Sequence, residues 1–202
     1  MKALIVVDVQ NDFCPGGALA VSKGDAIVPG INKIAEAFEL VITTQDWHPA
    51  DHGSFAANHP GAKPYDDGTL SGRPQVLWPT HCVQGTTGAA FHPDLRVRAM
   101  NFVKGTDKDA DSYSGFFDDD GKTTGLHEVL QAHQALDLFV CGLATDYCVK
   151  FTVLDALRIG YQVSVIEDLC RAVNLTPGDA QKAFDEMRAA GAIVLHSENV
   201  RF

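Results

Sequence analysis

Cys148 lies in Gly142-Leu-Ala-Thr-Asp-Tyr-Cys148-Val, between a short apolar run of strand formers and a stretch with helical spacing. That stretch places Val149, Val153 and Leu157 on one face and stops at Gly160. With Thr145 or Asp146 as N-cap, Cys148 falls in the first helical turn. Free amides and the positive end of the helix dipole favour a thiolate there, and the same amides can hold the oxyanion of a carbonyl under attack. A thiol so placed reads as a nucleophile. Two further residues end apolar runs: Asp8 in Val6-Val-Asp8-Val-Gln10-Asn-Asp-Phe13, and Lys104 in Asn-Phe-Val-Lys104-Gly105. A carboxylate at the end of an apolar strand is costly unless it is paired or used. Asp8 therefore reads as a general base, against the plainer reading of a loop cap. Lys104 alone would be a snorkelling surface amine. Beside a thiol and a carboxylate, it lowers the thiol's pKa while the carboxylate accepts the proton.

A second constellation is Asp46-Trp-His48 with His81 in Trp78-Pro-Thr-His81-Cys. Residues i and i+2 of an extended chain point to one side, so Asp46 and His48 can share an ion. One carboxylate and two imidazoles suit one divalent metal ion: zinc, iron or manganese. His52 is near enough in sequence to add a ligand. Cys82 directly follows a proposed ligand and diverges from it, so it is not counted. His59, His92, His127, His133 and His196 show no partnering pattern. Phe13 and Trp78 each flank a proposed functional residue and can sandwich a flat ring, although ordinary packing would also explain them.

These groups need strand ends to hold them. Strand-like runs cover residues 3–8, 40–44, 101–104, 138–142, 162–167 and 193–196, several of them apolar without alternation. Helical patterns cover 25–38, 122–133, 146–159 and 177–190, the last with Thr176 as N-cap, Pro177 at its first position and Gly191 past its end. The alternation predicts an α/β fold: a doubly wound, mainly parallel six-stranded sheet with helices on both faces. Ligands in such sheets bind beyond the carboxyl ends of the strands, where Asp8, Lys104 and Cys148 lie. Residues 46–98 carry no convincing helix and many Pro, Gly and His, a loop long enough to expect function from it. No repeat or linker divides residues 1–202, which read as one domain.

Net charge is −10 and no basic run occurs, which argues against nucleic acid or an anionic membrane as partner. No apolar stretch reaches spanning length, and the N-terminus reads as a first core strand rather than a signal peptide. Five scattered cysteines without a CxxC pair suit a reducing cytoplasm, with Cys141 and Cys170 as buried hydrophobes.

Taken in order along the chain, Asp8 with Gln10-Asn-Asp-Phe13, Asp46-Trp-His48, Trp78-Pro-Thr-His81-Cys-Val, Phe102-Val-Lys104-Gly and Gly142-Leu-Ala-Thr-Asp-Tyr-Cys148-Val resemble the nicotinamidase/pyrazinamidase branch of the isochorismatase-like cysteine hydrolases. The resemblance implies a catalytic triad of Asp8, Lys104 and Cys148, and metal ligands Asp46, His48 and His81. It implies ring walls Phe13 and Trp78, and an oxyanion hole from the amides of Ala144 and Cys148, with a cis bond between Leu143 and Ala144. The family's further metal contact varies, leaving His52 and Ser54 open. Implied too are nicotinamide as small-molecule substrate, a setting in NAD salvage, and an oligomeric state the sequence does not fix, a homo-oligomer among the options. Rival readings are a sibling amidohydrolase of a carbamoyl compound or biuret, which has no need of the metal residues, and a metal-bearing thiol sensor, which has no need of both Asp8 and Lys104.

Overall fold

The sheet is built around two strands whose residues are covered on both faces. In the structure, a computed structural model describing residues 1–201, the strands in chain order are β1 (Lys2–Val7), β2 (Leu40–Asp46), β3 (Asp67–Leu70), β4 (Arg73–Val76), β5 (Met100–Lys104), β6 (Asp137–Leu143), β7 (Gln162–Arg171) and β8 (Ile193–Leu195). β3 and β4 form a separate antiparallel hairpin. The other six make one all-parallel sheet in the order β5-β2-β1-β6-β7-β8. Every residue of β2 is buried, as is β1 beyond Lys2, which explains their unbroken apolar runs.

The chain steps one way from β1 to β2 to β5, and the other way from β6 to β7 to β8. The reversal falls between β1 and β6, the switch point where a crevice opens. Right-handed crossovers put α1 (Val28–Ala35) on one face and α2 (Leu126–Ala132), α3 (Lys150–Arg158) and α4 (Asp179–Ala189) on the other. Gly142 stands at this seam with φ +121°, and a Cβ there would fall on the backbone of Val7. Only glycine lets β6 pass so close to β1.

The helix starts differ from expectation, each for a local reason. α1 is shorter than 25–38, since residues 24–27 wind into a 3₁₀ turn ahead of it. α2 starts after Gly125, whose left-handed φ of +92° breaks the pattern expected from residue 122. α4 starts after Gly178 and not at Thr176: the Thr176 amide itself donates to Asp179 Oδ2 (2.8 Å), and Asn174 Oδ1 accepts from the Ala180 amide (2.9 Å). Neither Thr145 nor Asp146 caps α3. Ala144 holds the N-cap position of a π-helical turn, Thr145–Val149, that precedes it. The Asp146 carboxylate is drawn away to the amides of Val173 (2.9 Å) and Asn174 (2.8 Å) after β7.

The region 46–98 is less plain than its composition implied, holding the β3–β4 hairpin and a 3₁₀ turn at Ala56–Asn58. All five cysteines are free and buried. Among the described residues, no helix is long and apolar enough to cross a membrane.

Candidate active site

β1, β2 and β5 end side by side, and their last residues meet the turn after β6. Asp8 follows β1 in the left-handed region, φ +48°, a conformation that costs a non-glycine residue energy and so flags a constrained position. Its Oδ1 accepts from Thr44 Oγ1 (2.6 Å). Its Oδ2 lies 3.0 Å from Lys104 Nζ. The ammonium also donates to Ser112 O (2.9 Å), sits 3.4 Å from Cys148 Sγ, and makes a very short contact with Asp46 Oδ1. Lys104 is 2% exposed, so the surface-amine reading fails. One ammonium thus joins both constellations: the acid and thiol on one side, the first proposed metal ligand on the other.

The electrostatics follow from burial. Desolvation pushes Asp8 above its ordinary value, with Asp46 adding to the rise and Lys104 opposing it. Desolvation would strip the proton from Lys104, but Asp46 and Asp8 outweigh it and hold the ammonium charged well above its usual range. Cys148 departs from expectation. Burial drives its thiol well above the ordinary value, and Lys104 recovers only part of that shift. The turn does not make a standing thiolate, because the sulfur is shut away from water with two carboxylates nearby.

Asp46, His48 and His81 converge with donor atoms within 4.8 Å of one another. His48 Nδ1–H donates to Gly105 O (2.8 Å) and His81 Nδ1–H to Pro79 O (2.7 Å). A carbonyl only accepts, so the protons sit at Nδ1 and the two Nε2 atoms are left to meet an ion. They face Asp46 Oδ2 at 3.6 and 3.9 Å. Two ligands about 2.1 Å from one ion at a tetrahedral angle stand roughly 3.4 Å apart, so the set is spaced for an ion rather than for hydrogen bonds. Burial would raise Asp46, but Lys104 and His48 hold it below the usual carboxylate range. Burial and then His48 push His81 down to about 4. Asp46 and His81 are therefore deprotonated; at His48 burial would lower the imidazole but Asp46 outweighs it and raises it, so an ion there would displace the His48 proton. Gly105, at φ +64°, packs against His48 so closely that a Cβ would strike the imidazole.

His52 lies outside this group of three: its Nδ1 faces Ser54 Oγ (2.8 Å), its Nε2 is buried without a hydrogen-bond partner among the described residues, and Ser54 lines the cavity at the site. Cys82 stays outside the set, as expected. The other histidines serve local contacts, such as His127 with the Tyr161 hydroxyl (2.9 Å) and His59 with Gly53 O (2.7 Å).

The cavity is small, ≈ 30 Å³, and enclosed by Phe13, Trp78, Ala144 and Cys148 together with the metal-set side chains. The bond between Leu143 and Ala144 is cis. Residues the sequence reading passed over also shape the site. Gln10 clamps the Asp46 backbone from both sides, donating to its carbonyl (2.8 Å) and accepting from its amide (2.8 Å). Asp12 ties the Phe13 turn to the His81 loop by accepting from the Cys82 amide (2.7 Å). Asp111, Tyr113 and Tyr147 line the cavity. Asp111 and Tyr113 are two residues apart just beyond Lys104, a spacing that could have flagged them.

This geometry has relatives. The isochorismatase-domain family matches residues 2–199. The chain belongs to the isochorismatase-domain family. Within the family it is 54% identical over 198 residues to a nicotinamidase of Escherichia coli, covering 95% of this chain and 92% of that one. Among solved structures it resembles a nicotinamidase/pyrazinamidase of Acinetobacter baumanii, with TM-score 0.94, 46% identity, and coverage of 98% of this chain and 97% of that one. A pyrazinamidase of Pyrococcus horikoshii in complex with zinc superposes with TM-score 0.80 at 38% identity, covering 96% of this chain and 98% of that one.

Proposed function

We propose that residues 1–202 form one catalytic domain that hydrolyses nicotinamide, and also pyrazinamide, to the acid and ammonia through a thioester at Cys148. The observation that carries this reading is Lys104, whose ammonium touches Asp8, Cys148 and Asp46 at once. The relatives named above support the choice of substrate. Asp46, His48 and His81 would hold a divalent ion, zinc, iron or manganese, with Ser54 or His52 as a further contact. Bound there, the ion supplies a Lewis acid for the pyridine nitrogen.

The chain's own residues do the rest. Phe13 and Trp78 form the walls against which the flat ring lies, and so bring the carboxamide carbon to the thiol. Burial raises both groups, so Asp8, ionised beside the Lys104 ammonium at 3.0 Å, is a stronger base than an ordinary carboxylate, and what it faces is the thiol's proton. Its transfer to Asp8 leaves negative charge on sulfur 3.4 Å from the Lys104 ammonium, which stabilises it. As sulfur attacks, the amides of Ala144 and Cys148 receive the oxyanion. Asp8 returns the proton to the departing ammonia. It then takes one from water, which cleaves the thioester and restores the thiol.

The enzyme works on a small molecule in the cytoplasm, without nucleic acid or membrane as partner. The test is release of ammonia and nicotinate from nicotinamide by the metal-loaded protein, before and after chelation. Turnover lost on chelation and regained with zinc, iron or manganese is expected. Cys148→Ala should abolish turnover while metal binding and the fold persist. Absence of release from the loaded wild type, or substantial activity in Cys148→Ala, would sink the reading.

A further inference from the structure

The β3–β4 hairpin carries a buried glutamine that the mechanism does not use. Gln75 is 7% exposed, and its Nε2 lies 2.9 Å from Val76 O, 2.8 Å from Asp111 Oδ2 and 3.0 Å from Tyr113 Oη. Two of those partners only accept, so the nitrogen and not the oxygen must face them. The Tyr113 hydroxyl receives a second donor, Trp78 Nε1–H at 2.9 Å, and an indole nitrogen only donates. Nε2 has two hydrogens for three acceptors, so the one aimed at Tyr113 Oη is shared, and the hydroxyl is held between the hairpin and the indole. The indole also meets Tyr147 edge-on, with ring centroids 4.8 Å apart at 87°, and Tyr147 in turn touches the Tyr113 ring, centroids 5.4 Å apart. Gln75 does not line the cavity; Trp78, Tyr113 and Asp111 do.

We infer that Gln75 is a positioning residue, setting the tilt of the Trp78 indole through the Tyr113 hydroxyl and thereby the affinity of the site for a flat aromatic amide. The inference rests on the function proposed above and adds to it the residue that tunes recognition of the ring. The Gln75 amide bonds to Val76, Asp111 and Tyr113 and not to Cys148, Asp8 or Lys104, so its effect belongs to binding and not to bond making.

The test uses the metal-loaded, full-length protein with Gln75→Met, Tyr113→Phe and the double variant. KM and kcat are measured for nicotinamide, and affinity for nicotinate by calorimetry. Loss of one buried hydrogen bond should raise KM and the nicotinate Kd by about three- to tenfold in either single variant. In Gln75→Met, kcat should stay within about twofold of wild type, as expected when only uniform binding is removed. The double variant should bind no worse than the weaker single, because both changes cut one chain of contacts. A fold defect would produce additive losses instead. Should Gln75→Met not fold, Gln75→Asn withdraws the donor while keeping an amide and should weaken binding in the same way. Unchanged affinity in the Gln75 variant, additive effects, or a loss of kcat at constant KM would overturn the inference with the function intact. A wild type that neither turns over nicotinamide nor binds nicotinate would overturn the function first, and this inference with it.

Discussion

Lys104→Met tests whether one ammonium holds two buried carboxylates. Asp8 is 0% and Asp46 4% exposed, and Lys104 Nζ contacts both. Methionine preserves much of the volume and removes the charge. The carboxylate without an ion of its own, Asp8, must then stay charged in a dry site or take up a proton. Taking up a proton near neutral pH costs at most about 4 kcal/mol, since neutrality lies some three pH units above the ordinary Asp value of 3.8 and each unit is worth about 1.4 kcal/mol. That ceiling matches the roughly 3–5 kcal/mol typical of breaking a buried pair from one side. The pH dependence has a definite sign. In the variant, Asp8 has a folded pKa raised above its unfolded one, so its contribution is intact below 3.8 and is lost as pH rises from there. Wild-type Asp8 is itself raised, so the deficit lies below that ceiling of about 4 kcal/mol near neutrality and shrinks as pH falls toward 5. Urea unfolding in chelator, at both pH values, reads it directly. A deficit below about 1 kcal/mol at neutral pH, or one that does not change with pH, would refute the shared-ammonium argument.

The same burial should show in the thiol. Because Cys148 is pushed above the ordinary 9.0, its alkylation by iodoacetamide in the ligand-free protein should keep climbing through pH 9, and a plateau near neutrality would contradict the resting-thiol assignment. Gly105→Ala sets a Cβ against the His48 ring at a left-handed φ. Metal affinity should fall by about 10- to 100-fold, measured by competition with a chelator, as for the loss of other supports of a ligating histidine. Affinity equal to wild type would show that His48 has room to move.

The parallel strands were legible because burial on both faces leaves unbroken apolar runs, and the rule that chemistry sits at their carboxyl ends picked out Asp8, Lys104 and Cys148. The spacing of Asp46, His48 and His81 was legible for a similar reason, since a strand end and a loop displayed them beside one another. Tertiary competition was not legible. Asp146 is an acceptable cap by type, yet the amides of Val173 and Asn174, 27 and 28 residues away, claim its carboxylate. Thr176 fails as a cap because Gly178 breaks the helix start after it. The resting state of Cys148 was misjudged because a helix dipole can be read from sequence, while the depth of burial that opposes it cannot. Gln75 carries no periodic signal, and only folding brings this hairpin side chain to Asp111, 36 residues on.

The position of the switch point also orders the site in time. A chain made from its amino end has produced Asp8, Asp46, His48, His81 and Lys104 once β5 is complete, while one flank of β1 still awaits β6. The ion-binding half can thus take shape before the nucleophile exists. Cys148 arrives only when β6 slides along the open side of β1, through the gap that Gly142 keeps clear. Until then the newborn chain carries the acid and the ammonium without the sulfur they serve, and its exposed β1 edge is the surface most in need of protection from wrong partners.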